Sequence, residues 1–299
     1  IAVFGVRFIF PILIVFATTD LSLVQSFSLA INNPAEYEKV IMASHHIVMA
    51  FGGVFLLMIF LSFLFNENKD VHWIGVVEKY ASRWSSMGDL KILVAILCVA
   101  VIGYYAPSAI MIEDKLQNID KAEIILPMIY GILLYLSIEF LRGILEDDGS
   151  EKEVGNIEQE REKIENVAHQ TAMKGGFASF MYLELIDMSF SFDGVLGAFA
   201  VSQNIIIIML GLGAGAFAVR NLTILMVDRG TVAEYKYLEH GAMWSIGLLA
   251  ISMIVQIFIH LPHALVIFFA LAPISIAFIQ SARENKLSGE EEIKLNKND

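Results

Sequence analysis

Apolar stretches of bilayer-crossing length recur along this chain and leave it little choice of fold. A spanning helix needs roughly 20 mostly apolar residues. Eight stretches read as spans, at about 1–17, 40–65, 89–106, 124–145, 173–200, 203–227, 239–260 and 263–282. Backbone N–H and C=O groups in hydrocarbon have to be satisfied within the segment, so the spans are helices. The expected class is therefore all-α, a polytopic membrane protein. Composition agrees: 57% of the 299 residues are hydrophobic and 17% are charged, against roughly 25% charged in soluble domains. The stretch Leu21–Asn32 is too short to cross and reads as an interfacial or re-entrant helix.

The cations are spread unevenly between the two sides. One side carries Lys69, Lys79, Arg83, Lys152, Arg161, Lys163, Arg229, Lys236 and the tail residues Arg283, Lys286, Lys294 and Lys297; the other carries Lys39, Lys115 and Lys121. Basic residues stay on the cytoplasmic side, so the tail 283–299 and the loop 146–172 are expected there. That loop alternates in sign and reads as a solvated helix or linker between two halves. The halves are 1–145, which includes a connector helix at 124–145, and 173–282. The net charge of −12 does not suggest nucleic-acid binding, because the acids concentrate in loops and in one apolar segment. Cys98, the single cysteine, sits inside an apolar run. It excludes an intramolecular disulfide framework and reads as a packing residue.

The halves look duplicated. Phe4-Gly5-Val6-Arg7 resembles Phe217-Ala218-Val219-Arg220, and His46, Met49 and Gly53 recur with the same spacing as His240, Met243 and Gly247. Matched spans run in opposite directions across the bilayer, which is the signature of inverted-topology repeats, whose sites lie at the midplane between repeats. The chain opens at Ile1 inside an apolar run, so an upstream acidic helix equivalent to Glu184–Asp193 is expected, giving nine spans in all.

The segment around 173–200 holds Glu184, Asp187 and Asp193. A charged residue at the bilayer centre costs about 2.5–3.5 kcal/mol on insertion scales, so three acids need a protein interior, a cation or protons. Glu184, Asp187 and Ser191 share one helix face. The run Ser189-Phe190-Ser191-Phe192-Asp193-Gly194 is rich in poor helix formers, and a break there brings Asp193 round and frees carbonyl oxygens. Carboxylate, hydroxyl and carbonyl ligands suit Mg²⁺, Ca²⁺ or Mn²⁺ rather than copper. The competing reading has the acids protonated, or paired with Arg220 for structural reasons. Arg220 and Arg7 are intramembrane cations on matched spans, placed to compensate an acidic cluster or to snorkel.

Other residues read more plainly. Asn221 offers an amide oxygen. Glu139 and Arg142 are spaced for a local ion pair. His45, His46, Glu239, His240, His260 and His263 sit at span ends, as interface residues or along an entry path, while His72 and His169 fall in loops. Trp73, Trp84 and Trp244 fit interfacial anchors. Gly211-Leu-Gly-Ala-Gly-Ala216 offers a small-residue face for close packing. No P-loop, nucleophile elbow, HExxH or Rossmann fingerprint occurs, and Asp187 and Asp193 lack the Gly-x-Gly-Asp context of an intramembrane aspartyl protease. An enzyme is not expected.

The run Leu183-Glu184-Leu185-Ile186-Asp187-Met188-Ser189-Phe190-Ser191-Phe192-Asp193-Gly194, followed by Ala198-Phe199-Ala200, resembles the second acidic helix of the TerC (tellurium resistance) family. The Arg7 and Arg220 spans and the charged central loop fit the same pattern. The resemblance implies inverted helical repeats related to LysE-type exporters, a bacterial inner-membrane location, and Mn²⁺ efflux or metal homeostasis. It assigns metal binding to Glu184, Asp187 and Asp193. The chain departs from the family in lacking the first-repeat motif and in having Gly194 where many members carry a polar residue. The expected partners are the lipid bilayer, a transported divalent cation, protons and further copies of the chain; no tightly bound cofactor is expected. The alternative function is a non-transporting scaffold that helps resistance or envelope proteins assemble.

Overall fold

A computed structural model describes residues 12–16, 19, 21–66, 73–75, 78, 90–105, 109–112, 115–118, 120–147, 205–228, 235–259 and 261–295. In chain order these form α1 (Leu23–Asn32), α2 (Pro34–Ala43), α3 (His45–Leu64), α4 (Leu90–Tyr105), β1 (Ala109–Ile112), β2 (Lys115–Asn118), α5 (Lys121–Asp147), α6 (Ile205–Asp228), α7 (Leu238–Gln256) and α8 (His263–Leu295). The architecture is helical, with one two-stranded antiparallel ribbon in which Ala109 pairs with Asn118 and Ile112 with Lys115. The ribbon lies in the stretch 106–123, which reads from its residues as a loop.

Four helical stretches are long and apolar enough to cross a bilayer: His45–Leu64, Lys121–Phe140, Leu238–Gln256 and Ala264–Lys286. α4 and the stretch Leu210–Leu225 are shorter apolar helices. α3 is apolar all round and carries no Asp, Glu, Lys or Arg, the pattern of a fully enclosed helix. It sits at the centre, where Met49, Ala50, Val54, Phe55, Leu56 and Met58 are wholly buried. α5 packs against one flank and α7 against another. A methyl added at Gly131 would lie 2.7 Å from the Phe51 carbonyl oxygen, so α5 rests directly on the α3 backbone.

Side-chain pairings fix the relative directions. Gly131 meets Phe51, and Phe55 meets Tyr135 edge-on at 6.5 Å, so α5 runs with α3. Lys91 pairs with Glu139, and the Lys121 ammonium donates to the Tyr104 carbonyl across 2.9 Å, which sets α4 antiparallel to α5. α7 opposes α3: Gly53 faces Ile254, and Gly247 faces Phe60. α8 in turn opposes α7, because Ser245 donates to the Ala270 carbonyl and the Tyr237 N–H to Ser281 Oγ. This is the alternation that the spread of basic residues predicts. α8 continues as one helix to Leu295, well into the stretch read from sequence as a tail.

α1 is closed at its N-terminus by a capping box between Ser22 and Gln25. Pro34 at the first turn of α2 forces the break between them. Leu23, Val24, Phe27 and Ile31 point outward while Ser26 and Ala30 are buried. That is the reverse of a soluble amphipathic helix. The same inversion marks the bundle, with Leu97 on α4 62% exposed and Leu210 on α6 70% exposed. Soluble monomers rarely show such extended apolar surface; it suits a lipid surround.

Candidate functional site

The α3–α7 seam is built on a repeated seven-residue step. His46, Gly53 and Phe60 follow one another on α3; His240, Gly247 and Ile254 do so on α7. Gly53 receives Ile254, and Gly247 receives the Phe60 ring. Residues the sequence pairs as repeats therefore occupy equivalent places on the two sides of one interface. A side chain at either glycine would hold the helices apart, since even the added methyl at Gly247 would lie 2.7–2.9 Å from the Phe60 ring.

Each end of the seam carries a histidine facing a carboxylate. At one end His46 Nε2 lies 3.7 Å from Glu123 Oε2, which is contributed by the first turn of α5. At the other, His240 Nε2 lies 3.7 Å from Glu78 Oε2. The acids differ sharply in setting: the Glu123 side chain is 52% exposed, whereas Glu78 is 0% exposed. Glu78 accepts hydrogen bonds from the Trp244 indole N–H and from the Trp73 backbone N–H, each at 3.0 Å. The Phe63 ring stands edge-on to His240 at 5.3 Å, and Phe60 likewise to Trp244 at 5.1 Å. A buried carboxylate is tolerated where donors and a cation surround it, and this one has two N–H donors and an imidazole.

A cleft of ≈ 380 Å³, lined by Trp73, Tyr237, Gln280, Arg283 and Glu284, opens beside this end. The Trp73 indole donates to Gln280. Lys236 donates to Glu284 across 3.0 Å, and that hydrogen bond raises the lysine's pKa above its ordinary value.

Glu184, Asp187, Ser191 and Asp193, together with Arg7, His72, Trp84, His169 and His260, lie outside the described residues. Arg220 is on α6 and exposed, as is its neighbour Asn221, and among the described residues no carboxylate pairs with Arg220. Glu139 pairs with Lys91 across helices, a partner that the local spacing to Arg142 did not suggest. Trp73 and Trp244 serve Glu78 rather than acting only as interfacial anchors. Among the described residues none comes within 4 Å of a methyl added at Gly211 or Gly215 in the small-residue stripe of α6. Cys98 packs against the core, as its sequence setting suggests. Among the described residues no group of three His, Cys, Asp or Glu side chains could hold a metal. Glu78 is the residue the sequence did not single out. Its one signal was its place among the aromatic residues of the loop 66–88.

Residues 1–288 match the family model described as "Protein of unknown function (DUF475)". The chain belongs to that family. Over 128 residues the DUF475 chain is 27% identical to the "Uncharacterized membrane protein YceF" of Bacillus subtilis (strain 168), a match covering 42% of this chain and 49% of that protein. The chain thus spans about half the length of this curated relative. No solved structure matches. The relative and the outward-facing apolar helices together make this DUF475 chain a membrane protein.

Proposed function

We propose that the chain is a secondary transporter of the TerC type that exports a divalent cation, Mn²⁺ or one of similar hardness, across the bacterial inner membrane. The observation that carries the reading is the placing of Glu184, Asp187 and Asp193 within ten residues of an apolar segment. Such a concentration of charge needs a cation or protons to balance it. Glu184, Asp187, Ser191 and Asp193 bind the ion as substrate, Arg220 and Arg7 compensate the acids when it has left, and proton exchange on the carboxylates resets the site. The tail is cytoplasmic, and the chain has no enzymatic activity of its own.

Two features of the described helices support the inverted-repeat part of this reading. The helices alternate in direction as the basic residues require, and the matched glycines Gly53 and Gly247 each receive a side chain of the opposite helix, Ile254 and Phe60, along the α3–α7 seam. Rocking about that seam would expose a midplane site first to one side and then to the other. The test is Mn²⁺ flux in proteoliposomes containing the full-length protein. Flux is expected for the wild type and is expected to fall at least tenfold in Asp187→Asn combined with Asp193→Asn. Equal flux in the two overturns the reading. Absence of flux, with envelope proteins co-purifying, favours the scaffold.

A further inference from the structure

We propose that the groove between α4 and α5 binds one bilayer phospholipid, with an acyl chain lying along the groove and its phosphate held by Lys121. On α5 the lining residues Ile125, Ile129, Ile132 and Leu136 step by four, three and four, and α4 repeats those steps from Ile92 to Gly103. That spacing keeps each row on one helix face, so the rows are the two walls of a trough of ≈ 630 Å³. Its lining is apolar except for the Tyr104 hydroxyl. From Ile92 to Tyr104 the α4 wall runs about 18 Å, close to the roughly 15 Å that one leaflet gives to the hydrocarbon core. A helix about 10 Å across takes up roughly 1,400 Å³ over that length. A helix would therefore rest on the trough, whereas a hydrocarbon chain lies within it.

The two ends of the trough differ in charge. At the Leu136 end Lys91 pairs with Glu139 and stands 5.6 Å from the centre of the Tyr135 ring, so its ammonium is already neutralised. At the other end Lys121 lies one turn beyond Ile125 on the same face of α5. Its ammonium donates to the Tyr104 carbonyl at 2.9 Å, and a lysine has three such donors. Among the described residues no carboxylate pairs with Lys121: Asp120 accepts the Ala122 N–H, and Glu123 faces His46. Tyr104 and Tyr105 are exposed here, with their rings edge-on at 5.0 Å. Exposed tyrosines of this kind stand at headgroup level, and a lysine stem can carry its charge to the same level. A hydrocarbon slot with one cation at headgroup depth is complementary to a phosphate that carries an acyl tail.

The inference rests on the chain being a membrane protein, not on what it transports. The test is native mass spectrometry of the full-length protein, titrated with palmitoyl-oleoyl phosphatidylglycerol or with palmitoyl-oleoyl glycerol, which keeps the tails and lacks the phosphate. The wild type is expected to retain one phosphatidylglycerol per chain under activation that strips the rest. A lysine at a lipid surface is worth a factor of about five in affinity. Lys121→Ala, and palmitoyl-oleoyl glycerol with the wild type, are each expected to bind about fivefold more weakly. Ala100→Phe, which fills the middle of the trough, is expected to bind at least tenfold more weakly at unchanged helicity. Lys39→Ala, on α2, is expected to bind as the wild type does. If Ala100→Phe does not fold, Lys121→Ala and the phosphate-free lipid decide, since the Lys121 side chain is exposed. The site is overturned by a wild type that retains no lipid, by equal retention in Lys121→Ala, or by equal affinity for the phosphate-free lipid. The same loss in Lys39→Ala overturns it too. A dimer that dissociates in Ala100→Phe with lipid retention unchanged gives the trough to a second copy and overturns it as well. No flux is measured, so failure of the transporter reading leaves this site standing.

Discussion

The two ends of the α3–α7 seam use the same sequence grammar and differ in consequence. His46 and His240 each precede a seam glycine by seven residues, and each faces a glutamate at 3.7 Å. Glu123 stands half in the open, and a contact to a carboxylate this exposed contributes about 0–1 kcal/mol. Glu78 is sealed beneath Trp244 and Trp73. Removing that side chain leaves two buried N–H donors without an acceptor, at about 1–3 kcal/mol each. The two ends thus carry matching histidines, but the tertiary setting of the acid decides which pair matters.

The sharpest way to break this comparison is Glu78→Ala. It leaves His240, the Trp244 indole and the Trp73 N–H facing a void, and is expected to lower stability by about 2–6 kcal/mol in reversible unfolding in mixed micelles. A loss no larger than that from Glu123→Ala would erase the distinction. Trp244→Phe keeps the packing on Phe60 and removes one donor to the carboxylate. A hydrogen bond to a charged group is worth about 1.5–3 kcal/mol, and a thermal melt should register that loss. Gly247→Ala drives a methyl against the Phe60 ring and is expected to cost about 1–3 kcal/mol by overpacking. Across the same seam, the methyl of Gly53→Ala meets Ile254 Cγ1 at 3.0 Å, so the same melt should show a smaller loss. Smallest of all, Glu123→Gln should change stability by less than about 1 kcal/mol, and raising the salt concentration should remove what difference there is.

Much of the architecture was legible because lipid restricts the options. Apolar length marked α3, α5, α7 and α8, and the spread of Lys and Arg anticipated their alternating directions. The spacing His46–Met49–Gly53 and its copy pointed to two matched helices, though not to their packing against each other. Glu78 was hidden because its burial depends on Trp244, which lies 166 residues away in sequence. Nothing in Asp70, Glu78, Lys79 and Arg83 alone separates a sealed carboxylate from a solvated one. The ribbon was hidden for a local reason: its two-residue connection is Glu113-Asp114, without the Asn-Gly or Asp-Gly that usually announces a tight hairpin.

The claim on which the functional account depends is that Glu184, Asp187 and Asp193 hold a divalent cation within the membrane. Electron paramagnetic resonance of Mn²⁺ titrated into the full-length protein in nanodiscs measures this directly, because the aqueous ion gives a six-line signal that fades on binding. The account predicts saturable loss of that signal with the wild type, and its recovery in Glu184→Gln combined with Asp187→Asn and Asp193→Asn. An identical titration for the two proteins would contradict it.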